Sequence, residues 1–364
     1  MTPRALLLST TFTTLAMAPA WAQVPAVVAD TPVVHSLVAQ VMGDLGTPTL
    51  LLDRGGDPHS FQLRPSQAQA IASADAVIWV GPELAPWMGR AIEGTGTSGR
   101  VLTLLDVEGV TLRAFADGHA HDHDDDHDDD HDHDHDHEDD HAHDHDDHAE
   151  AHGHDDDHDD HADAHDHDHD DHAHDDHGHD HDDHGHDHAH DGTDPHAWLD
   201  PRNASVWLGA IAADLSALDP DNATIYAANA DAAQAALVAL EDEVRATLAP
   251  VGDAPIVVFH DAYGYFAHRF GVNVAGTIAL GDAAAPGAAR LTEMRAMLSD
   301  GGIACVFPEV NHTSRHVDTV IEGTDTRVGA MLDPAGVEME YGPELYSTLM
   351  RTLATQIADC VTEG

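Results

Sequence analysis

Three histidines occupy sequence positions from which their imidazoles could bind a metal ion. His59 follows a predicted apolar strand at residues 49–53. His260 follows another at residues 256–259, and His196 directly precedes a predicted helix. Ligands of open parallel sheets bind beyond the carboxyl ends of the strands, so two of the three imidazoles map to the usual binding edge. Neutral imidazole is the commonest protein ligand for zinc, and three of them with one further ligand make a tetrahedral site.

Two carboxylates are candidates for a supporting role. Asp333 follows a predicted strand at residues 327–331 and could supply the fourth bond or orient a ligand. Glu309 could orient a ligand or cap its own loop, and we favour the loop cap. A histidine-rich set favours zinc over manganese, which prefers carboxylate and water, but it separates nickel, cobalt and copper poorly. The remaining histidines outside the His/Asp-rich segment are interpreted as ordinary surface or core residues: His35, His268, His312 and His316.

Predicted strands and helices alternate in both halves of the chain, which indicates βαβ units and parallel sheets. Between the halves, residues 219–250 contain one long Ala-rich helix of roughly 40 Å, at 1.5 Å per residue. The prediction is an α/β fold of two lobes, residues 23–218 and 251–364, with mainly parallel sheets flanked by helices. The long rigid helix joins the lobes, and the metal site lies in the cleft between them.

The first residues predict export. Arg4 precedes an apolar stretch, and Ala20-Trp21-Ala22 has the small-x-small pattern that a signal peptidase cuts. We therefore predict a signal peptide at residues 1–22 and a periplasmic mature protein that starts at Gln23.

Residues 117–194 have an exceptional composition, with 28 histidines, 36 acidic residues and no basic residue. The segment has no apolar period, so it cannot bury surface to offset the entropy of ordering, and it is predicted to be a disordered insertion. A flexible chain can wrap three or four of these imidazoles around one ion. We predict that the segment collects zinc or relays it to the cleft. A merely solubilising insert would explain the aspartates but not the histidines.

The charge balance argues against a nucleic-acid partner. Of the 364 residues, 68 are acidic and only 14 are basic, which gives a formal net charge of −54. All the basic residues are arginines scattered singly along the chain. Such a surface repels phosphate backbones.

The chain has two cysteines, Cys305 and Cys360. In an exported protein two cysteines are more often bridged than free. Two buried, inert thiols are the alternative.

Three segments resemble the ligand loops of a known family. Residues 56–61 (GDPHSF) with 64–66 (RPS), 194–201 (DPHAWLDP) and 259–266 (FHDAYGYF) resemble those of the metal-binding cluster of solute-binding proteins that serve ABC importers. The His/Asp-rich insertion, the Leu-Asp-Pro near the end and the cysteine pair are similar to the ZnuA-type zinc branch. The likeness covers essentially the whole mature chain.

The resemblance implies zinc ligands at His59, His196 and His260, and a disulfide between Cys305 and Cys360. One departure is that some members place a glutamate before the first ligand histidine, where this chain has Pro58. Asp333 or water must then provide the fourth ligand. Members of the manganese branch have a carboxylate at the position of His260, which again supports zinc.

The resemblance implies a monomeric periplasmic protein, not an enzyme, that captures zinc and hands it to the membrane permease of an ABC importer. Two other hypotheses stay open. The chain could be a zinc storage or buffering protein in which the His/Asp-rich segment alone matters. Less favoured is a zinc hydrolase, since three histidines with an open position also describe a catalytic site.

Overall fold

Two four-stranded parallel sheets form the framework of the molecule. The computed structural model describes residues 24–115, 192–279 and 285–363. The predicted signal peptide and most of the predicted insertion lie outside these ranges. Thr193 forms an antiparallel bridge with Ala114, so the last residues of the predicted insertion are part of the fold rather than disordered.

The first sheet has the strand order β2-β1-β3-β4. Its strands are β1 (Val27–Ala29), β2 (Thr49–Leu50), β3 (Ala76–Trp79) and β4 (Arg100–Thr103). The strand β1, which pairs with both β2 and β3, was not predicted from the sequence. It is only three residues long and all of them are buried, so it shows neither alternation nor a long apolar run.

Four helices flank this sheet, and each begins with a proline. Proline suits the first helical position because its fixed φ matches the helix and its missing N–H would have no partner there. The helices are α1 (Pro32–Met42), α2 (Pro65–Ser73), α3 (Pro86–Thr95) and α4 (Pro201–Leu218). The Asp200 side chain caps α4, accepting the backbone N–H of Arg202 at 2.9 Å.

The long helix α5 (Ala223–Leu248) follows α4 and has 26 residues, which corresponds to about 39 Å. One side of it is buried at intervals of three or four residues, as expected for a helix that packs along a core. The buried residues are Tyr226, Ala230, Ala233, Leu237, Leu240, Val244 and Leu248.

The second sheet has the order β6-β5-β7-β8 and is also entirely parallel. Its strands are β5 (Ile256–Val258), β6 (Val274–Thr277), β7 (Cys305–Val306) and β8 (Arg327–Val328). The helices of this lobe are α6 (Gly264–Phe270), α7 (Ala288–Ser299) and α8 (Arg315–Ile321). The two parallel sheets with flanking helices confirm the predicted fold class.

The last helix, α9 (Leu345–Thr362), belongs to the second half of the sequence but also contacts the first lobe. The Tyr346 hydroxyl donates to the carbonyl of Trp198 at 2.7 Å, and the Tyr346 N–H donates to the Ser36 hydroxyl at 3.1 Å. The predicted disulfide between Cys305 and Cys360 is present and ties α9 to β7 of the second sheet.

One face of the second sheet packs with α7 and α8 in a small separate cluster that includes Val257 and Val306. The other face, with Ile256 and Val258, joins the core of the first lobe and of α5. The lobes therefore share one continuous apolar core. Among the described residues, no helix is both long and apolar enough to cross a bilayer.

Candidate metal centre

The three predicted histidines meet in the cleft between the two sheets. The ring centroids of His59 and His196 are 5.3 Å apart, and those of His196 and His260 are also 5.3 Å apart. The third pair, His59 and His260, is separated by 6.0 Å. One ring nitrogen from each residue lies within 4.8 Å of those of the other two. Residues far apart in the sequence thus present three potential ligands to one point.

The spacing of the nitrogens fits a zinc ion. Nε2 of His260 lies 3.5 Å from Nε2 of His196. Two nitrogens bound at about 2.1 Å to a tetrahedral zinc lie about 3.4 Å apart. These two nitrogens are therefore spaced almost as they would be around the ion.

The loop that holds His59 is shaped by Asp57. The Asp57 carboxylate accepts the backbone N–H of His59 at 2.9 Å and the hydroxyl of Ser60 at 2.6 Å. The carbonyl of Pro58 accepts the indole N–H of Trp87 at 2.7 Å, which ties the loop to α3. The loop therefore has a defined conformation although it lies outside the regular elements.

His196 is oriented by Asp194, a residue to which the sequence analysis assigned no separate role. Asp194 Oδ1 lies 2.8 Å from Nδ1 of His196 and accepts its backbone N–H at 2.9 Å. Because a carboxylate only accepts, Nδ1 carries the ring proton and Nε2 keeps its lone pair for a metal. The indole of Trp198 packs against the same imidazole, with ring centroids 5.2 Å apart.

His260 is oriented in the same way by Glu309. Glu309 Oε1 lies 2.5 Å from Nδ1 of His260, so Nε2 again faces the cleft. The Tyr263 hydroxyl donates to Glu309 Oε2 at 3.0 Å and fixes the carboxylate. The predicted role of Glu309 was a loop cap, whereas the structure places this buried carboxylate against the imidazole of His260. The missed signal was its position just beyond β7, at the same sheet edge as His260.

Asp333 lines the cavity wall, but its carboxylate is occupied by its own turn. Its two oxygens accept the backbone N–H groups of Val337 at 3.0 Å and Glu338 at 2.9 Å. Burial raises the pKa of this carboxyl, and the two backbone N–H groups oppose that rise. Asp333 is not among the described groups whose ligand atoms lie within 4.8 Å of one another.

His312, which the sequence analysis interpreted as an ordinary residue, also reaches this region. Its Nε2 lies 3.5 Å from Glu309 Oε1, and its ring centroid is 5.8 Å from that of His260. By contrast, His35 is buried in α1, on the first lobe. Only the tertiary structure distinguishes these two histidines, because both lie in unremarkable sequence.

The cavity at the centre is small and favours the neutral form of His59. Its volume is about 30 Å³, enough for one ion or one water. Burial lowers the pKa of His59 well below its usual range, and the neighbouring His196 and His260 lower it further. Neutral nitrogen is the form that binds metal, so the site is poised for a cation.

The sequence profile of the family described as the zinc-uptake complex component A, periplasmic (ZnuA), matches residues 27–360. A protein of Paracoccus denitrificans named high-affinity zinc uptake system protein ZnuA is 48% identical over 359 residues, which is 99% of this chain and 98% of that protein. A protein of the same name from Brucella suis is 40% identical over 90% of this chain and 89% of its own length.

Solved structures with the same fold include a zinc-bound ZnuA deletion mutant, with a TM-score of 0.64, 18% identity, and coverage of 93% of this chain and 98% of that one. The Pseudomonas aeruginosa protein FpvC in complex with Mn²⁺ has a TM-score of 0.66 and 18% identity. The match covers 93% of this chain and 99% of FpvC. At this identity the likeness concerns the fold alone.

Proposed function

Because the chain belongs to the ZnuA family of periplasmic zinc-uptake components, we propose that it captures zinc with high affinity and delivers it to an ABC importer. The ion is cargo, and the protein is a binding protein rather than an enzyme. We place it in the periplasm, with the membrane permease of the importer as its partner and with a single copy of the chain as the working unit.

We assign His59, His196 and His260 as the zinc ligands. The observation that supports this most directly is the convergence of the three imidazoles within 4.8 Å. Asp194 and Glu309 hold two of the rings with Nε2 towards the ion. The fourth position is taken by Asp333, after a movement of its turn, or by a water molecule.

The size of the cavity supports transport over catalysis. A volume of about 30 Å³ accommodates a single ion. Binding sites for small-molecule substrates have volumes of about 300–1,000 Å³. A hydrolase of esters or peptides would need room beside the metal for its substrate.

Alanine at His59, His196 or His260 tests the assignment. We expect each variant to lose one tight zinc site while the looser sites of the His/Asp-rich segment remain, in titrations against a chelator of known affinity. Alanine at His268, on α6, is the matched control and should keep the tight site. Unchanged tight binding in the cleft variants would favour the storage hypothesis, and zinc-dependent turnover of an ester or peptide would favour the hydrolase.

We also propose that the His/Asp-rich segment collects zinc for the cleft. The structure guides the deletion that tests this, because Asp194 orients His196 and Thr193 pairs with Ala114. The deletion should therefore remove residues 117–191 rather than 117–194, with a short glycine linker. We expect the loose zinc sites to disappear and the tight one to remain. Unchanged stoichiometry and unchanged loading of the cleft at limiting zinc would contradict the proposal.

A further inference from the structure

His312 lies at the mouth of the cleft, in the loop between β7 and α8. Its ring is stacked on Phe259, with centroids 4.3 Å apart and an angle of 19° between the planes. Its side chain is 27% exposed, whereas that of His260 is 5% exposed. Both residues line the same cavity. His312 therefore presents a fixed imidazole between the solvent and the three-histidine site.

His312 and Glu309 have the spacing of two zinc ligands. Nε2 of His312 lies 3.5 Å from Glu309 Oε1. Two ligand atoms at about 2.1 Å from a tetrahedral zinc are separated by about 3.4 Å. His260, Glu309 and His312 each offer a ligand atom within 4.8 Å of the others. This second donor set lies beside the first and shares His260 with it.

The shared residue prevents simultaneous use of both complete sets. A neutral imidazole has one nitrogen with a proton and one with a lone pair. When Nε2 of His260 binds an ion in the inner site, Nδ1 carries the proton and faces Glu309. An ion at the outer position then has only two protein ligands, from Glu309 and His312, with water in the remaining positions. Such an ion is held weakly and exchanges readily.

The loop that bears these ligands also contacts the other side of the cleft. The Asn311 side chain donates to the carbonyl of Gly56 at 3.2 Å, in the loop that leads to His59. Asn311 has a φ of 67°, in the left-handed region, which asparagine tolerates better than most residues. The outer donor pair therefore faces the first ligand loop at the rim of the cavity.

We propose that His312 and Glu309 form an outer subsite for a divalent cation, through which zinc enters and leaves the three-histidine site. The inference rests on the proposed function of the inner site. An ion first binds His312 and Glu309 with its remaining waters, and then exchanges those waters, His312 and Glu309 for the inner imidazoles, which leaves the Glu309 carboxylate against Nδ1 of His260. Release follows the same steps in reverse. Removing His312 raises the barrier in both directions and leaves the free energy of the inner complex unchanged.

The test is stopped-flow zinc binding and release with the full chain and with the His312→Phe variant. Phenylalanine keeps the aromatic contact with Phe259 but has no ligand nitrogen. Trp198, packed against His196, provides the fluorescence signal from the cleft, and a Trp198→Phe variant identifies that signal. His316→Phe is the matched control, because its ring is also close to Phe259, at 6.2 Å, but lies outside the outer donor set.

We expect both association and chelator-induced release to slow about tenfold in the His312→Phe variant, the factor given by a barrier higher by about 1.4 kcal/mol. The equilibrium affinity of the cleft should stay within about threefold, a change of less than 1 kcal/mol. The control should match the wild type in all three quantities.

Rates within twofold of the wild type would overturn the proposal and leave His312 as a packing residue. A weaker equilibrium affinity with an unchanged association rate would also overturn it, because His312 would then be a ligand of the tight site. Failure of the proposed function has a different signature: the wild-type protein itself would give no tight, zinc-dependent signal from Trp198.

Discussion

At the scale of single residues, the site depends on carboxylates that orient imidazoles. Asp194 and Glu309 each lie against the Nδ1 atom of a proposed ligand histidine and leave its Nε2 facing the cleft. Both carboxylates are buried, so their charge acts at short range and with little screening by water. These two rings are thus oriented without a bound ion, which would reduce the cost of assembling the proposed site.

Replacement of Glu309 by glutamine should weaken zinc binding in the cleft by about 10- to 100-fold, the usual effect of losing a partner that orients a ligand. The amide is nearly isosteric but has no charge to hold the Nδ1 proton of His260. Competition with a fluorescent chelator measures the change. Glu322→Gln, at a side chain that is 75% exposed, is the control and should bind like the wild type. An affinity of the Glu309 variant within twofold of wild type would contradict the role.

The lowered pKa of His59 predicts a pH dependence of the metal-free protein. Burial and the neighbouring His196 and His260 disfavour protonation of His59 in the folded state. The unfolded chain therefore binds more protons between the usual imidazole pKa of about 6.5 and the lowered value. The free energy of unfolding should accordingly fall as the pH drops through this window. Above a pH of about 6.5, His59 is neutral in both the folded and the unfolded chain and causes no such loss.

Urea unfolding at pH 7.5 and 5.5, with chelator present, measures this effect. The wild type should lose more stability on acidification than His59→Gln, which has no titrating group there. Both proteins contain the same His/Asp-rich segment, so its protonation cancels in the comparison. Equal losses would show that His59 titrates normally in the folded state.

At the scale of elements, parallel strands bring distant parts of the chain to one edge. His260 directly follows the buried residue Phe259 after β5, and Glu309 follows β7, the neighbouring strand in the same sheet. Both side chains therefore emerge side by side at the carboxyl ends of their strands. A parallel bridge between Glu309 and Leu332 continues the pairing of β7 with β8 beyond the two strands and brings Asp333 to the cavity wall.

The disulfide between Cys305 and Cys360 joins elements that are 55 residues apart in sequence. Closing a loop of this length should stabilise the fold by about 4 kcal/mol, since it restricts the unfolded chain. The variant with both cysteines replaced by serine should lose about this amount in urea unfolding. Wild type unfolded with a reductant serves as the matched comparison and should agree with the variant. A loss below about 1 kcal/mol would mean that the packing of α9 alone holds the strand and the helix together.

At the scale of the whole molecule, several contacts join the two lobes away from the metal centre. The Tyr265 hydroxyl of α6 donates to the carbonyl of Asp194 at 3.0 Å and accepts the N–H of Arg113 at 2.9 Å. Arg269, also on α6, forms a two-pronged ion pair with Asp200, the N-cap of α4. Together with α5 and the continuous core, these contacts limit rotation of one lobe against the other.

We therefore expect zinc binding to cause a small tilt and loop movements rather than a wide closure. Spin labels at Val101→Cys on β4 and Val328→Cys on β8, both at exposed side chains, report the distance between the lobes. The mean distance should change by less than about 3 Å on addition of zinc. The disulfide remains oxidised, so only the labels are modified. A shift of about 10 Å would indicate a hinge and contradict this picture.

The sequence by itself determined much of this protein. The alternating strands and helices, the long helix, the cysteine pair and the three histidines that meet in the cleft were all predicted, because each has a local chemical signature. The short strand β1 was missed because three buried residues show no period.

Only the tertiary structure decided what surrounds the histidines. The position after β7 is the one local signal for Glu309, and nothing local distinguishes His312 from a surface residue. The roles of both depend on the distance to His260, which is about 50 residues earlier in the chain. The same holds for Asp333, whose oxygens accept backbone N–H groups of the following turn. Residue types and spacing identify potential ligands, but the orientation and access of a site arise from contacts between strands, and these form only when the sheets assemble.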